Sequence, residues 1–161
     1  MISKILVALD GSERADGVFR GAAELAASLG ASLHLLSAVA VPPEFPPAAY
    51  TSHVDGLPAY LVTQAEAHLH ALALRARHMR VEVIVRESTQ PWRAIIEVAD
   101  EIGADLIVVG SHGYHGVDYL LGTNAGKVAN QARRNVLVVH RPPEPPAEGG
   151  YRRAAMPHGA T

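Results

Sequence analysis

The stretch Ala104-Asp-Leu-Ile-Val-Val-Gly110 decides the fold, because a short apolar run here lies between a turn and a glycine-bearing loop. A run of this length bounded by turn residues is typical of a strand buried on both faces of a sheet. Similar runs recur along the chain. We therefore predict five strands, at residues 5–9, 33–39, 81–86, 106–109 and 136–139.

Apolar residues recur at helical spacing between these strands, in residues 18–29, 61–79, 92–102 and 123 to about 134. Residue types that favour helix ends stand at the boundaries of these helices. Ser12 is placed to cap the first helix and Pro91 to begin the third, while Gly30 and Gly103 are placed to end helices.

Strands that alternate with amphipathic helices indicate parallel pairing, because a right-handed crossover between parallel neighbours needs a helix. We predict an α/β fold, a three-layer sandwich with an open five-stranded parallel sheet in the order 3-2-1-4-5 and helices on both faces. The predicted domain covers residues 1–140. Residues 141–161 are rich in proline and glycine and show no apolar periodicity, which predicts a flexible tail.

Composition excludes several classes of function. The formal net charge is −2, and no concentrated basic face indicates a nucleic acid or an anionic membrane as partner. The chain has no cysteine, so it has no disulfide framework and no thiolate chemistry. No apolar run approaches the roughly 20 residues that span a bilayer. We expect a cytoplasmic protein.

Two loops are predicted to meet at a ligand crevice. In open parallel sheets, ligands lie beyond the carboxyl ends of the strands where the strand order reverses, here between the first and fourth strands. The loops that follow these strands are Asp10-Gly-Ser12 and Gly110-Ser-His-Gly113-Tyr-His-Gly116. Spaced glycines allow close backbone approach, and the next helix begins at Gly122-Thr123-Asn124 with unpaired amides. Together these features predict a phosphate cradle, although glycines of this kind also serve as plain turns.

Three segments carry a family resemblance, in the right order over about residues 1–140. They are Val7-Ala-Leu-Asp10-Gly-Ser-Glu13, Ala104-Asp-Leu-Ile-Val-Val-Gly110-Ser-His-Gly113, and Leu121-Gly-Thr-Asn-Ala125 followed by Asn135-Val-Leu-Val-Val139. They resemble the universal stress proteins. The family's ATP-binding signature spaces its last two glycines by nine residues, and here Tyr114 to Leu121 make eight. A subgroup with Gly-Ser-His and Leu-Leu-Gly-Ser-Asn-Ala has the shorter interval and is similar to this chain.

The resemblance implies a site for ATP, or for ADP or AMP. It also implies that a magnesium or manganese ion can bind together with the nucleotide. It implies that Asp10 faces the ribose or the ion, and that Ala8 and the backbone of Ala38 line the adenine pocket. Taken alone, Asp10 is as readily a turn residue, and both alanines are as readily ordinary core. The implied phosphate contacts are Gly110, Ser111, His112, Gly113, Gly116, Gly122, Thr123 and Asn124.

Other motifs fit less well. Gly122-Thr-Asn-Ala-Gly126-Lys127 has one residue too few for a P-loop, and Val128 follows where a hydroxyl residue should bind magnesium. His112 has no acid placed to orient it as a general base. The nine histidines make no cluster with metal-ligand spacing and are interpreted as scattered surface residues. Trp92 is interpreted as a core residue in preference to an interface anchor.

Three functions remain open from the sequence. The first is an adenine-nucleotide-binding regulatory protein of the stress response, which we favour. The second is a nucleotide-free interaction module with the same fold. The third is a slow ATP hydrolase, although no catalytic residue is identified and any hydrolysis is expected to be weak.

The last strand is predicted to be a sheet edge. It is apolar and has no charged residue between Asn135 and Arg141, and exposed edges of this kind invite pairing with another chain. The resemblance implies a homodimer through the strand at 136–140. We expect neither a nucleic acid nor a membrane as partner, and the sequence does not identify a regulatory protein partner.

Overall fold

The computed structural model describes residues 1–12, 14–40, 56–111 and 122–140. The tail at 141–161 and part of the glycine-bearing loop, including His112, Gly113 and Gly116, lie outside the described residues. The elements in chain order are β1 (Lys4–Ala8), α1 (Ala15–Leu29), β2 (Ser32–Val39), α2 (Gly56–Arg75), β3 (Val81–Glu87), α3 (Pro91–Glu101), β4 (Leu106–Gly110), α4 (Thr123–Gln131) and β5 (Asn135–Val139).

All five strands are parallel and lie in the order β3-β2-β1-β4-β5. This order confirms the predicted open α/β sheet. β1 is the central strand and lies between β2 and β4, with Val7 opposite both Leu35 and Val108. The apolar runs of β1 and β4 are buried, as expected for strands covered on both faces. The chain extends from β1 toward β3 on one side and from β4 toward β5 on the other.

Helices cover both faces of the sheet, because alternate strand residues point to opposite sides. On one face Val7, Leu33 and Leu35 pack with residues of α1 and α2, among them Phe19 and Leu69. The other face holds a second cluster, in which residues of α3 and α4 cover the strands: Leu6, Leu36, Ile107, Ile95, Val98, Ala125 and Val128. The result is the predicted three-layer sandwich.

Glycine ends two helices as predicted. Gly30 follows α1 with φ 65°, and the Ala31 N–H donates to the Ala26 carbonyl at 2.9 Å. Gly103 has φ 64° and closes α3 in the same way, through Ala104. This geometry satisfies carbonyls at the helix end that have no partner within the helix, and it needs a residue that tolerates positive φ.

Several helix boundaries differ from the prediction. α2 begins at Gly56 and ends at Arg75, whereas the apolar spacing predicted residues 61–79. The next residues form turns instead, in which the Met79 N–H donates to the Ala76 carbonyl at 2.9 Å. α4 ends at Gln131, short of the predicted end near residue 134, because Ala132 adopts an extended conformation with ψ 138°.

The prediction that Ser12 caps α1 is wrong. α1 begins at Ala15, and none of the described side chains makes a capping hydrogen bond at its start. The Ala15 N–H instead donates to the Ser12 carbonyl at 3.0 Å. The Ser12 hydroxyl is engaged by Asp10, as described below. Among the described helices, none combines the length and continuous apolar character needed to cross a bilayer.

Candidate functional site

The candidate site lies at the carboxyl ends of β1 and β4, where the strand order reverses. The chain leaves β1 toward β2 and β3, and leaves β4 toward β5, so the segments that follow these two strands diverge. Such divergence leaves a crevice at this point in an open parallel sheet. Ala8 lies beside Val109 at the ends of the two strands, and Gly110 follows.

Ala8 and Ala38 belong to the same face of the sheet. Ala8 packs against the second cluster, on the side covered by α3 and α4. Ala38 is two residues beyond Leu36, a member of that cluster and the register partner of Ala8. Since strand residues two apart share a face, Ala38 lies on the same side but about 7 Å further along the strand direction. The two alanines therefore place two small side chains on the same face of the sheet, near the crevice.

α4 brings its first turn to this same edge of the sheet. Its nine residues rise about 13 Å, similar to the length of a five-residue strand, and it leads directly back to the start of β5. Gly122 is the residue before the helix, with extended ψ 151° and its carbonyl accepting from the Gly126 N–H at 2.8 Å. Thr123 and Asn124 are exposed in the first turn.

Within the part of the chain that the structure describes, no side chain caps the start of α4. Gly122 has no side chain that could do so, and the first amides of a helix have no partner within it. These N–H groups and the positive end of the helix dipole favour an anion. The described part of the predicted cradle therefore presents backbone amides of the kind that favour an anion.

Asp10 forms a tight turn after β1. Its carboxylate oxygen Oδ1 accepts from the Ser12 hydroxyl at 2.6 Å and from the Ser12 N–H at 3.3 Å. The side chain is exposed at the crevice edge. The turn explains why an aspartate suits this position without any ligand, and the same location also brings a carboxylate beside the crevice.

Gly110 and Ser111 continue the sheet past β4. Gly110 is paired with Val139, and the Ser111 N–H donates to the Val139 carbonyl at 2.9 Å. The Ser111 amide is therefore already hydrogen-bonded to β5. Any contribution of Ser111 to an anion would come from its hydroxyl group.

Trp92 and Lys127 make a contact that the sequence did not indicate. Lys127 Nζ lies 5.5 Å from the centre of the Trp92 ring, a cation–π distance. Trp92 is in the first turn of α3 and packs partly against the second cluster, in agreement with its interpretation as a core residue. Lys127 was noted only as part of an imperfect P-loop, and nothing in the spacing of the two residues points to their contact.

Two groups with shifted pKa values lie toward the amino ends of the strands. Asp105 Oδ2 accepts from the Ser3 N–H at 2.8 Å, the Ser3 hydroxyl at 2.9 Å and the Lys4 N–H at 3.0 Å, and these bonds lower the pKa of its carboxyl group. His34, within β2, has its pKa lowered mainly by burial. These groups join strands of the sheet and do not border the crevice.

The interpretation of the histidines as surface residues is wrong for His34, whose exposed fraction is only 4%. Its Nδ1 lies 3.2 Å from Oε2 of Glu82, its register partner on β3, and its Nε2 lies 3.4 Å from the Ser32 hydroxyl. The Glu82 carboxylate partly offsets the effect of burial on the His34 pKa. Among the described residues, no three potential ligand side chains gather into a metal site.

Comparison with known proteins agrees with this fold. The sequence profile described as "Universal stress protein family" matches residues 1–140. The chain belongs to this family. It is 33% identical over 139 residues to universal stress protein A homolog 1 of Coxiella burnetii, an alignment that covers 84% of this chain and 94% of that protein.

Two solved structures from the family are similar as well. A universal stress protein in complex with cAMP is 26% identical, with a TM-score of 0.67, and covers 86% of this chain and 97% of its own. The universal stress protein of Archaeoglobus fulgidus in complex with dAMP is 24% identical, with a TM-score of 0.54, and covers 86% and 98% respectively. The second likeness bears on the fold alone.

Proposed function

We propose that this chain binds an adenine nucleotide in the crevice between β1 and β4 and acts as a nucleotide-dependent regulatory protein of the stress response. The observation that carries the proposal is the first turn of α4, which no described side chain caps, at the point where the strand order reverses. Family membership and the complex of a similar protein with cAMP support an adenine nucleotide as the ligand.

The described residues fit such a ligand. Ala8 and Ala38 lie on the face covered by α3 and α4, and their small side chains would suit contact with a planar base. The amides at Gly122, Thr123 and Asn124 would hold phosphate, with His112, Gly113 and Gly116 completing the cradle from outside the described residues. Gly110 and Ser111 would border it from the end of β4.

We propose ATP as the nucleotide, with ADP or AMP as the related choices. Asp10, exposed at the crevice edge, would contact the ribose or a magnesium or manganese ion held by the phosphates. A hard divalent cation prefers carboxylate and phosphate oxygens, which suits this position. The cysteine-free chain suits a reducing cytoplasm, where we propose that the protein acts.

Nucleotide binding is tested on the purified full chain. The protein is denatured and any released nucleotide is identified by mass, after which stripped protein is titrated with ATP, ADP and AMP by calorimetry, with and without magnesium. Bound nucleotide or saturable binding near one per chain supports the proposal. No released nucleotide and no heat with any of the three would contradict it.

A matched pair of variants locates the phosphates. Asn124→Asp puts a negative charge in the first turn of α4. The positive end of the helix dipole stabilises this charge, but the charge repels phosphate. We expect ATP affinity to fall about tenfold or more, from the repulsion of close like charges, while the protein remains as stable or becomes slightly more so. Asn130→Asp makes the same change at the exposed far end of α4 and should leave ATP affinity unchanged. Equal affinity in both variants would place the phosphates elsewhere.

The alternative functions give different results in the same experiments. A nucleotide-free interaction module would show no binding in any variant. A slow ATP hydrolase would show turnover above contaminating activity that is lost in an Asp10 or His112 variant.

We also propose a homodimer through β5. The Val139 carbonyl is bonded to the Ser111 N–H, so the N–H and C=O of the preceding Val138 point toward the open edge. Leu137 is 39% exposed on the same strand. Val138→Pro removes a donor from this edge and should yield monomers in sedimentation velocity, provided that circular dichroism shows a folded chain. A dimer of unchanged affinity would exclude this edge.

A further inference from the structure

Lys127 and Trp92 meet across the gap between α3 and α4, at the edge of the sheet where the candidate site lies. On this face of the sheet α3 contacts β2 and α4 contacts β5. β2 and β5 flank β1 and β4, so the gap between the two helices lies over the two strands that border the crevice. Both helices begin at the carboxyl edge, because α3 follows β3 and α4 follows β4 in the chain. A contact between their first turns therefore borders the crevice.

The side chain of Lys127 leans toward the start of α4. Lys127 is four residues after Thr123, so the two residues share one side of the helix. A helical side chain leans toward the amino end of its helix and covers the turn before its own Cα. The ring that lies 5.5 Å from Lys127 Nζ belongs to Trp92, the second residue of α3. The ammonium group is thus held beside the first turns of both helices.

Lys127 brings a full positive charge to this place. It is exposed and is the one charged residue in the sequence of α4. None of the salt bridges found among the described residues includes it. An ammonium group has three N–H donors, and the face of an aromatic ring lies on one side of it only. The contact with Trp92 therefore fixes the position of the charge and leaves donors for an anion.

We propose that Lys127 binds the phosphates that ATP carries beyond the one of AMP, and that Trp92 positions Lys127 for this contact. This role depends on the nucleotide site proposed above. The amides at the start of α4 carry partial charges, which suit a first phosphate, whereas each further phosphate adds negative charge that a full cation compensates. Because Trp92 already holds the Lys127 side chain, less conformational freedom is lost when the nucleotide binds. Lys127 thereby makes the site prefer ATP to AMP.

Calorimetric affinities of the purified full chain for ATP and AMP test the role of Lys127. Lys127→Met removes the charge and keeps a long side chain. It should weaken ATP binding about tenfold or more, the usual loss for a hydrogen bond to a charged group, and change AMP binding less than about threefold. Lys127→Arg should keep the preference for ATP. Arg133→Met removes the same charge at an exposed position beyond the far end of α4 and should leave both affinities unchanged.

The fluorescence of Trp92 tests the contact itself, since the chain has a single tryptophan. ATP should change this fluorescence with the midpoint found by calorimetry, and Lys127→Met should remove most of the change even at saturating ATP. Trp92→Leu should weaken ATP binding about threefold, in line with a cation–π contact, and Trp92→Phe should restore most of the affinity. The effect of Trp92→Leu should disappear in the Lys127→Met background, because Trp92 acts through Lys127.

Three results would overturn the inference. The first is an ATP affinity that Lys127→Met lowers no more than Arg133→Met does. The second is an equal loss of ATP and AMP affinity in Lys127→Met. Both of these results would leave the proposed nucleotide site intact. The third is a natural chain that binds none of ATP, ADP and AMP, which would overturn the nucleotide site together with the role of Lys127.

Discussion

Two glycines of the α1 region should respond in opposite ways to the same substitution. Gly21 lies inside α1, and Gly30 follows the helix with φ 65°. A Cβ atom added at either position would have no heavy-atom neighbour within 4 Å. Contacts therefore do not differ between the two substitutions, and the backbone conformation decides the sign of the effect.

The magnitudes follow from these conformations. Gly21→Ala should raise the free energy of unfolding by about 0.5–1 kcal/mol, because alanine has the higher helix propensity. Gly30→Ala should lower it by about 1 kcal/mol, because the left-handed conformation is costly for a residue with a Cβ. For a chain of this size each change corresponds to about 2–4 °C in Tm.

Urea and thermal unfolding followed by circular dichroism measure both effects. Gly30→Asn is the control, since asparagine tolerates positive φ better than alanine and should cost less. The double variant should be additive, because the two sites share no contact. If Gly30→Ala were as stable as Gly21→Ala, the assigned helix end would be wrong.

Three further predictions concern the core, the buried histidine and the α3–α4 contact. Leu35→Ala removes a fully buried side chain and should cost about 2–5 kcal/mol in urea unfolding, whereas Leu74→Ala in dilute protein should stay within about 0.5 kcal/mol. Because burial lowers the pKa of His34, the unfolded chain binds a proton more readily, so stability should fall as the pH drops below the ordinary value of 6.5; an unchanged pH profile in His34→Leu would contradict this. A double-mutant cycle of Lys127→Met and Trp92→Leu should give a coupling of about 0.5–1 kcal/mol, and a coupling near zero would mean that the two side chains do not interact.

The strands and the glycine helix ends could be predicted because their causes are local. A buried central strand needs an unbroken apolar run, and Leu106–Gly110 provides one. A helix that ends in a left-handed residue favours glycine, as at Gly30 and Gly103. The end of α2 was harder, because apolar spacing continues to Met79 while the chain already turns after Arg75.

The candidate site was predictable in part. The reversal of strand order and the start of α4 followed from the alternation of strands and helices, so the location of Gly122 and Thr123 could be anticipated. The local hydrogen bonds could not. Whether the Ser12 hydroxyl caps α1 or bonds Asp10 depends on the backbone path between β1 and α1. Whether the Ser111 N–H bonds the Val139 carbonyl depends on its distance from β5.

By itself, the sequence determined the class of fold and pointed to the edge of the sheet where we propose that a ligand binds, because apolar periodicity and turn residues act over a few neighbouring positions. Tertiary structure decided which distant groups meet. It buried His34 beside Glu82, brought Lys127 over Trp92, and left the outer side of α2 exposed. These outcomes depend on strand register and helix packing, which arise from contacts between residues far apart in the chain.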